Sequence, residues 1–377
     1  MFVKRSRHDK KAAPDPMNNA SSQDALVVSA IHHWAPRFVA NGVPLTDFLE
    51  VTAGIARWAD WCSAWCARAA VHEGLGREAL AAGFNLSAAQ HLTTAAVSYH
   101  FAKFVFVVDL KEMRAAHAKA VECRKLALPH LRPAGEYVRI PFQGKSFAGV
   151  LRRPPGQARP PIVVMCMGLD SAKEEMDSYE ALFLARGLAT LSFDGPGQGE
   201  SEYDFAIRGD YEVAVKAVVD WLEARPDVDA GNTGLWGVSL GGYYAPRAAA
   251  FERRIRACIA LSGAYDLGDA WDGLPELTRE TFRVRAHCTS ESDARKVAAT
   301  LSLKGVAGNI ACPLYIVAGR LDRIVRWQDA ERLAREARGP VELVMIEDGN
   351  HVANNRVYKY RTQSADWMAQ QLGLARV

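Results

Sequence analysis

The chain has 377 residues, more than a single hydrophobic core usually organises, so two domains are expected. With 49% hydrophobic and 24% charged residues it has the composition of an ordinary globular protein. The net charge of +3 is uneven: residues 1–11, MFVKRSRHDKK, hold five Lys or Arg against one Asp, which leaves −1 for everything after them. A near-neutral body argues against nucleic acid or an anionic membrane as partner.

In chain order, residues 1–23 read as a basic disordered tail. The polar run AAPDPMNNASSQ follows the charges where a leader would have its apolar segment. No apolar stretch approaches the length of a membrane span. Cys62, Cys66, Cys123, Cys166, Cys258, Cys288 and Cys312 are odd in number and scattered, which predicts reduced, buried thiols and a cytoplasmic location.

Residues 24–133 read as an all-helical domain. Phe48, Ile55, Trp58, Trp61, Trp65 and Ala69 recur at spacings of three to seven, in a pattern that stops at Gly74 and Gly76. A second long helical stretch runs to Pro129, interrupted by FAKFVFVVDL, whose propensity favours strand. The aromatic residues Trp58, Trp61, Trp65, Phe101, Phe104 and Phe106 are expected to be mainly core.

At residue 134 the texture changes. GEYVRIPFQGKSFAGVLRRPPG has the short alternating segments of an antiparallel strand pair. Apolar runs at 161–167, 188–194, 233–239, 255–263, 312–319 and 341–348 then alternate with helical patterns at 175–186, 210–224, 240–251, 327–337 and 357–372. Continuous apolar strands between helices predict a mainly parallel sheet covered on both faces, so residues 134–377 are expected to form an α/β domain.

The chemistry collects at strand ends. Ser239 stands in Gly237-Val238-Ser239-Leu240-Gly241-Gly242, between a strand and a helix. A nucleophile on so tight a turn needs small neighbours two residues away on each side, where strand and helix must pack. His351 follows the last strand in VELVMIEDGNHVANN and is the one histidine at the C-terminal end of a sheet strand. Asp322 and Asp266 both follow strands that lie between them, and either could orient an imidazole. Asp322 is favoured because it lies immediately outside its strand in a G-x-x-D turn and completes the order Ser, Asp, His. Asp194, in FDGPGQGES, reads as a turn former. The oxyanion donors are expected to be the N–H groups of Leu240 and of Leu169, which follows Gly168 after the first long parallel strand. Asp170 in that loop is a candidate pocket residue. No phosphate-binding glycine loop and no metal-ligand cluster is present in the sequence, so no cofactor is expected.

These residues resemble the α/β-hydrolase superfamily over 134–377. HFAKFVFVVD, HAKAVECRKLALP, MGLDSAKEE, GVSLGGYYAPRAAAFE, WDGLPELTRETF and EDGNHVANN extend the likeness to the 2,6-dihydroxypseudooxynicotine hydrolase group and the fungal polyketide-shortening hydrolases. The resemblance implies an α/β-hydrolase fold whose N-terminal helical domain, 24–133, caps the site and forms a homodimer. It implies a Ser239-Asp322-His351 triad and hydrolysis of a carbon–carbon bond beside a ketone, in an aromatic or polyketide-like small molecule. It also implies a pocket carboxylate near the WD segment, where Asp272 and Glu276 are the local acids. Direct attack by Ser239 and activation of water by His351 both remain open. A carboxylesterase is the alternative, and a ligand-binding or acyl-transferring protein on the same scaffold is a further one.

Overall fold

The computed structural model describes residues 23–374; the expected tail, up to residue 22, lies outside them. Five helices come first: α1 (Ala25–Ala40), α2 (Leu45–Gly54), α3 (Trp61–Ala81), α4 (Asn85–Lys103) and α5 (Leu110–Ala127). Asp24 caps α1 by accepting from the Leu26 N–H, and Val27, Ala30, Trp34 and Phe38 bury one stripe of it. Phe38 stacks on Phe101 with ring centroids 3.8 Å apart, inside a core that also takes in Trp61, Trp65 and Phe104. The helices depart from the sequence reading in two places. Gly74 and Gly76 lie inside α3 and do not end it; a Cβ at Gly76 would come 2.6 Å from Leu92 Cγ. The glycine is there for the close approach of α4. The strand-prone run around Phe104–Val108 forms no strand; it is the connection between α4 and α5, buried at Phe104, Val105 and Phe106 and exposed at Val108, and α5 starts where Asp109 caps it.

The sheet has eight strands: β1 (Gly135–Phe142), β2 (Lys145–Arg152), β3 (Pro161–Cys166), β4 (Ala189–Phe193), β5 (Asp229–Val238), β6 (Ile255–Leu261), β7 (Leu314–Gly319) and β8 (Val341–Ile346). Their order is β1-β2-β4-β3-β5-β6-β7-β8, with β2 antiparallel to both neighbours and β3 through β8 parallel. Between and after the parallel strands run α6 (Asp177–Leu184), α7 (Glu212–Glu223), α8 (Gly241–Phe251), α9 (Leu267–Ala270), α10 (Glu276–Arg285), α11 (Glu291–Ala298), α12 (Trp327–Glu336) and α13 (Arg361–Gln371). Alternation along β3 shows why both faces are covered. Ile162, Val164 and Cys166 pack in the core that holds α7 and α8, while Val163 and Met165 pack in the one that holds α6 and α13. Each predicted strand is present within a few residues. The excursion α9–α11, between β6 and β7, was not expected. Among the described residues no helix is long and apolar enough to cross a membrane, and all seven cysteines are free.

Candidate active site

Ser239 follows β5 with φ of +56°, a left-handed conformation that a serine adopts only under constraint. The glycines around it are sterically required. A Cβ at Gly237 would lie 1.9 Å from the Gly241 carbonyl oxygen, one at Gly241 would lie 2.1 Å from that of Cys166, and one at Gly242 would lie 2.7 Å from the backbone of Gly263. Strand, turn and helix α8 therefore close on one another only with hydrogen at these positions.

His351 sits on the loop after β8, where Val352 and Ala353 also have positive φ. Its Nε2 is 2.9 Å from Ser239 Oγ and its Nδ1 is 2.8 Å from Asp322 Oδ2. The other Asp322 oxygen accepts from the backbone N–H groups of Ile324 (2.8 Å) and Val325 (2.9 Å). Burial pushes the Asp322 carboxyl up, but His351 and these two donors outweigh it and hold it below its ordinary value. The carboxylate is thus fixed in position and charge, with the imidazole between it and the serine. Asp266, the rival acid, instead caps α9 by accepting from the Asp269 N–H at 2.8 Å and pairs with Lys304. Asp194 is a structural acid: it binds the Lys173 ammonium at 2.7 Å and two backbone N–H groups.

The expected oxyanion donors adjoin the serine. Leu240 stands at the start of α8, whose first N–H groups have no helical acceptor. Gln198 Nε2 donates to the Gly168 carbonyl at 3.2 Å. In a planar trans peptide the Leu169 N–H points the opposite way from that carbonyl. The Leu169 carbonyl is pinned in turn by Arg285, which also donates to the Phe104 carbonyl at 2.7 Å, joining α10, the loop and the helical domain.

Ser239 lies between two cavities. The polar lobe, beneath α1, is lined by His351, Asn354, Arg37, Asp170, Ser171 and Glu175 among others. The apolar lobe is lined by Leu169, Leu240, Leu267, Leu274, Phe282 and Val325 among others. Asp170 therefore lies at the polar lobe. Glu276 and Asp272 do not reach either lobe; both are exposed, and Asp272 pairs with Arg295 at 2.6 Å.

Several site residues carried no motif. Arg37 of α1 is buried, with its Nη1 3.0 Å from Asp170 and its Nε and Nη2 each 2.7 Å from Glu175. Burial works against its charge, yet Asp170 and Glu175 outweigh that and hold the guanidinium above its ordinary value. Glu175, disfavoured by burial, is held well below its own by Arg37 and His100. His33, one turn before Arg37, stacks on His351 with centroids 6.3 Å apart. Burial, then the nearby His351, lower its pKa to about 4. Their only signal in sequence was the i, i+4 spacing of His33 and Arg37 on a helix whose other buried positions are apolar. The wall residues Leu267, Leu274, Thr278 and Phe282 belong to the unexpected excursion.

The sheet order, the strained serine turn and the hydrogen-bonded Ser-His-Asp chain define an α/β-hydrolase. A family model described as esterase FrsA-like matches residues 45–267, and the prolyl oligopeptidase family model matches 175–375. The 2,6-dihydropseudooxynicotine hydrolase of Paenarthrobacter nicotinovorans is 34% identical over 352 residues, spanning 89% of this chain and 90% of that protein. The crystal structure of 2,6-dihydroxy-pseudo-oxynicotine hydrolase superposes with a TM-score of 0.83 at 33% identity, covering 91% of this chain and 97% of that one. A hydrolyase of Penicillium oxalicum is 34% identical over 226 residues, 55% of this chain and 53% of its own length. The chain belongs to the α/β-hydrolase family that contains these enzymes, and it is a hydrolase.

Proposed function

We propose that this enzyme hydrolyses the carbon–carbon bond between a ketone carbonyl and an electron-rich aromatic ring, with Ser239 as nucleophile, His351 as base and then acid, and Asp322 as its orienter. The observation that carries the triad is the unbroken chain of 2.9 Å and 2.8 Å contacts from Ser239 through His351 to Asp322. The bond type rests on the likeness to the 2,6-dihydropseudooxynicotine hydrolase across nine-tenths of both chains.

In this reading His351 Nε2 takes the Ser239 proton as Oγ adds to the ketone carbon. The oxyanion forms against the N–H groups of Leu240 and Leu169. Collapse expels the ring carbon with its bonding electrons, and the proton on His351 Nε2 goes to that carbon. Water, deprotonated by the same imidazole, then releases the acyl group as a carboxylic acid. Ketone and water give acid and arene, with no external reductant or oxidant.

The test is hydrolysis of a 2,6-dihydroxyphenyl alkyl ketone beside that of a nitrophenyl ester, with Ser239→Ala as control. Ketone cleavage with a Ser239-linked acyl adduct in the mass spectrum is expected. Ester turnover without ketone cleavage would instead assign a carboxylesterase. We also propose a homodimer through the helical domain and a cytoplasmic location. Val71 and Leu75, one turn apart on α3, and Phe84 and Leu86 after its end are exposed apolar residues, and the seven thiols are free, which support these readings. Sedimentation at micromolar concentration tests the dimer.

A further inference from the structure

We propose that the acyl fragment of the substrate is an uncharged hydrocarbon group lodged in the apolar lobe, and that the departing fragment carries hydroxyl groups read by Asn354 in the polar lobe. The inference rests on the triad reading above.

His351 decides which fragment goes where. The departing carbon takes its proton from His351 Nε2, and His351 lines the polar lobe and not the apolar one. The acyl group stays bonded to Ser239 and so lies in the other lobe, whose wall includes Leu169 and Leu240. Among the described residues that wall has no titratable side chain, and beyond Ser239 its one polar side chain is Thr278. The nearby acids are engaged or turned away: Asp322 holds His351, Asp269 pairs with Lys304 at 2.7 Å, Asp272 pairs with Arg295, and Glu276 is exposed. An ammonium on the acyl chain would lose its hydration and meet no counter-charge.

The polar lobe is the opposite case. Asn354 is only 8% exposed, and its Nδ2 donates to the His351 carbonyl at 3.2 Å. Since that carbonyl only accepts, the amide orientation is fixed, and Asn354 Oδ1 is left buried with no partner. A buried acceptor without a donor, on the side where the ring departs, suits a ring hydroxyl.

The experiment compares hexanoyl with 6-ammoniohexanoyl chains, both as 2,6-dihydroxyphenyl ketones and as nitrophenyl esters. The wild type is expected to prefer the alkyl chain by on the order of 100-fold in kcat/KM in each active series. Thr278→Glu, which adds a carboxylate to the wall, is expected to shift that ratio towards the ammonium chain at least about tenfold. Asn354→Leu is expected to slow the dihydroxyphenyl ketone about tenfold more than the ester. Equal use of the two chains, or an equal effect of Asn354→Leu on ketone and ester, overturns the assignment. Ester turnover with the alkyl preference but no ketone cleavage removes the carbon–carbon reading and the Asn354 role, and leaves the apolar acyl site standing. If neither series is turned over, both readings fall.

Discussion

At the scale of single residues the site depends on the conformation of one serine and the company of one carboxylate. Asp322 accepts two backbone N–H bonds on one oxygen and the imidazole on the other, so it fixes both the tautomer and the tilt of His351. Asp322→Asn keeps the shape but offers an amide where a carboxylate stabilised the imidazolium. A fall in kcat of about 10⁴-fold is expected, measured by single-turnover acylation. Asp266→Ala is the informative partner: it removes a helix cap, so it should lower the unfolding temperature by a few degrees and leave kcat within about threefold. A large kcat loss in Asp266→Ala would reverse the assignment of the acid.

At the scale of elements, α1 meets the sheet domain through charge as well as through apolar packing. Arg37 reaches two carboxylates of the segment after β3, and Asn41 binds Glu175 at 2.6 Å while accepting from Arg361 of α13 at 2.8 Å. Arg37→Met would leave Asp170 and Glu175 buried beside each other without a cation. A loss of about 3–5 kcal/mol is expected from the urea midpoint. Arg37→Lys should recover only part of it, since one ammonium cannot make the forked contacts. This seam also marks the limit of what the sequence disclosed. The strands were legible because parallel strands buried on both faces are apolar throughout, and the catalytic turn because Gly237, Gly241 and Gly242 are sterically obligatory. Arg37 and Arg285 were not, because a lone arginine in a helix looks like a solvated one until its partners, more than a hundred residues away, are in place. The helices α9–α11 were missed for a related reason. Their sequence is polar and broken by turns, and the apolar residues that wall the pocket are few and widely spaced.

At the scale of the whole molecule, burial of titratable groups links the site to acid stability. His33 ordinarily titrates near 6.5 and is lowered to about 4 in the folded chain, by burial first and His351 next. Between those values the unfolded chain binds a proton that the folded chain refuses, so stability falls as pH falls through this window and is unaffected above it. His33→Phe keeps an aromatic ring against His351 and has nothing to protonate. Its unfolding temperature should therefore decline less than that of the wild type between pH 6.5 and 4, by differential scanning fluorimetry. Parallel curves would show that His33 is not refused its proton.

The contacts that hold α1 down also govern traffic. Swinging that helix away as one piece would strand an arginine and two carboxylates, so α1 is a fixed part of the site and not a hinged door. Substrate must then reach Ser239 with α1 in its packed position over the polar lobe.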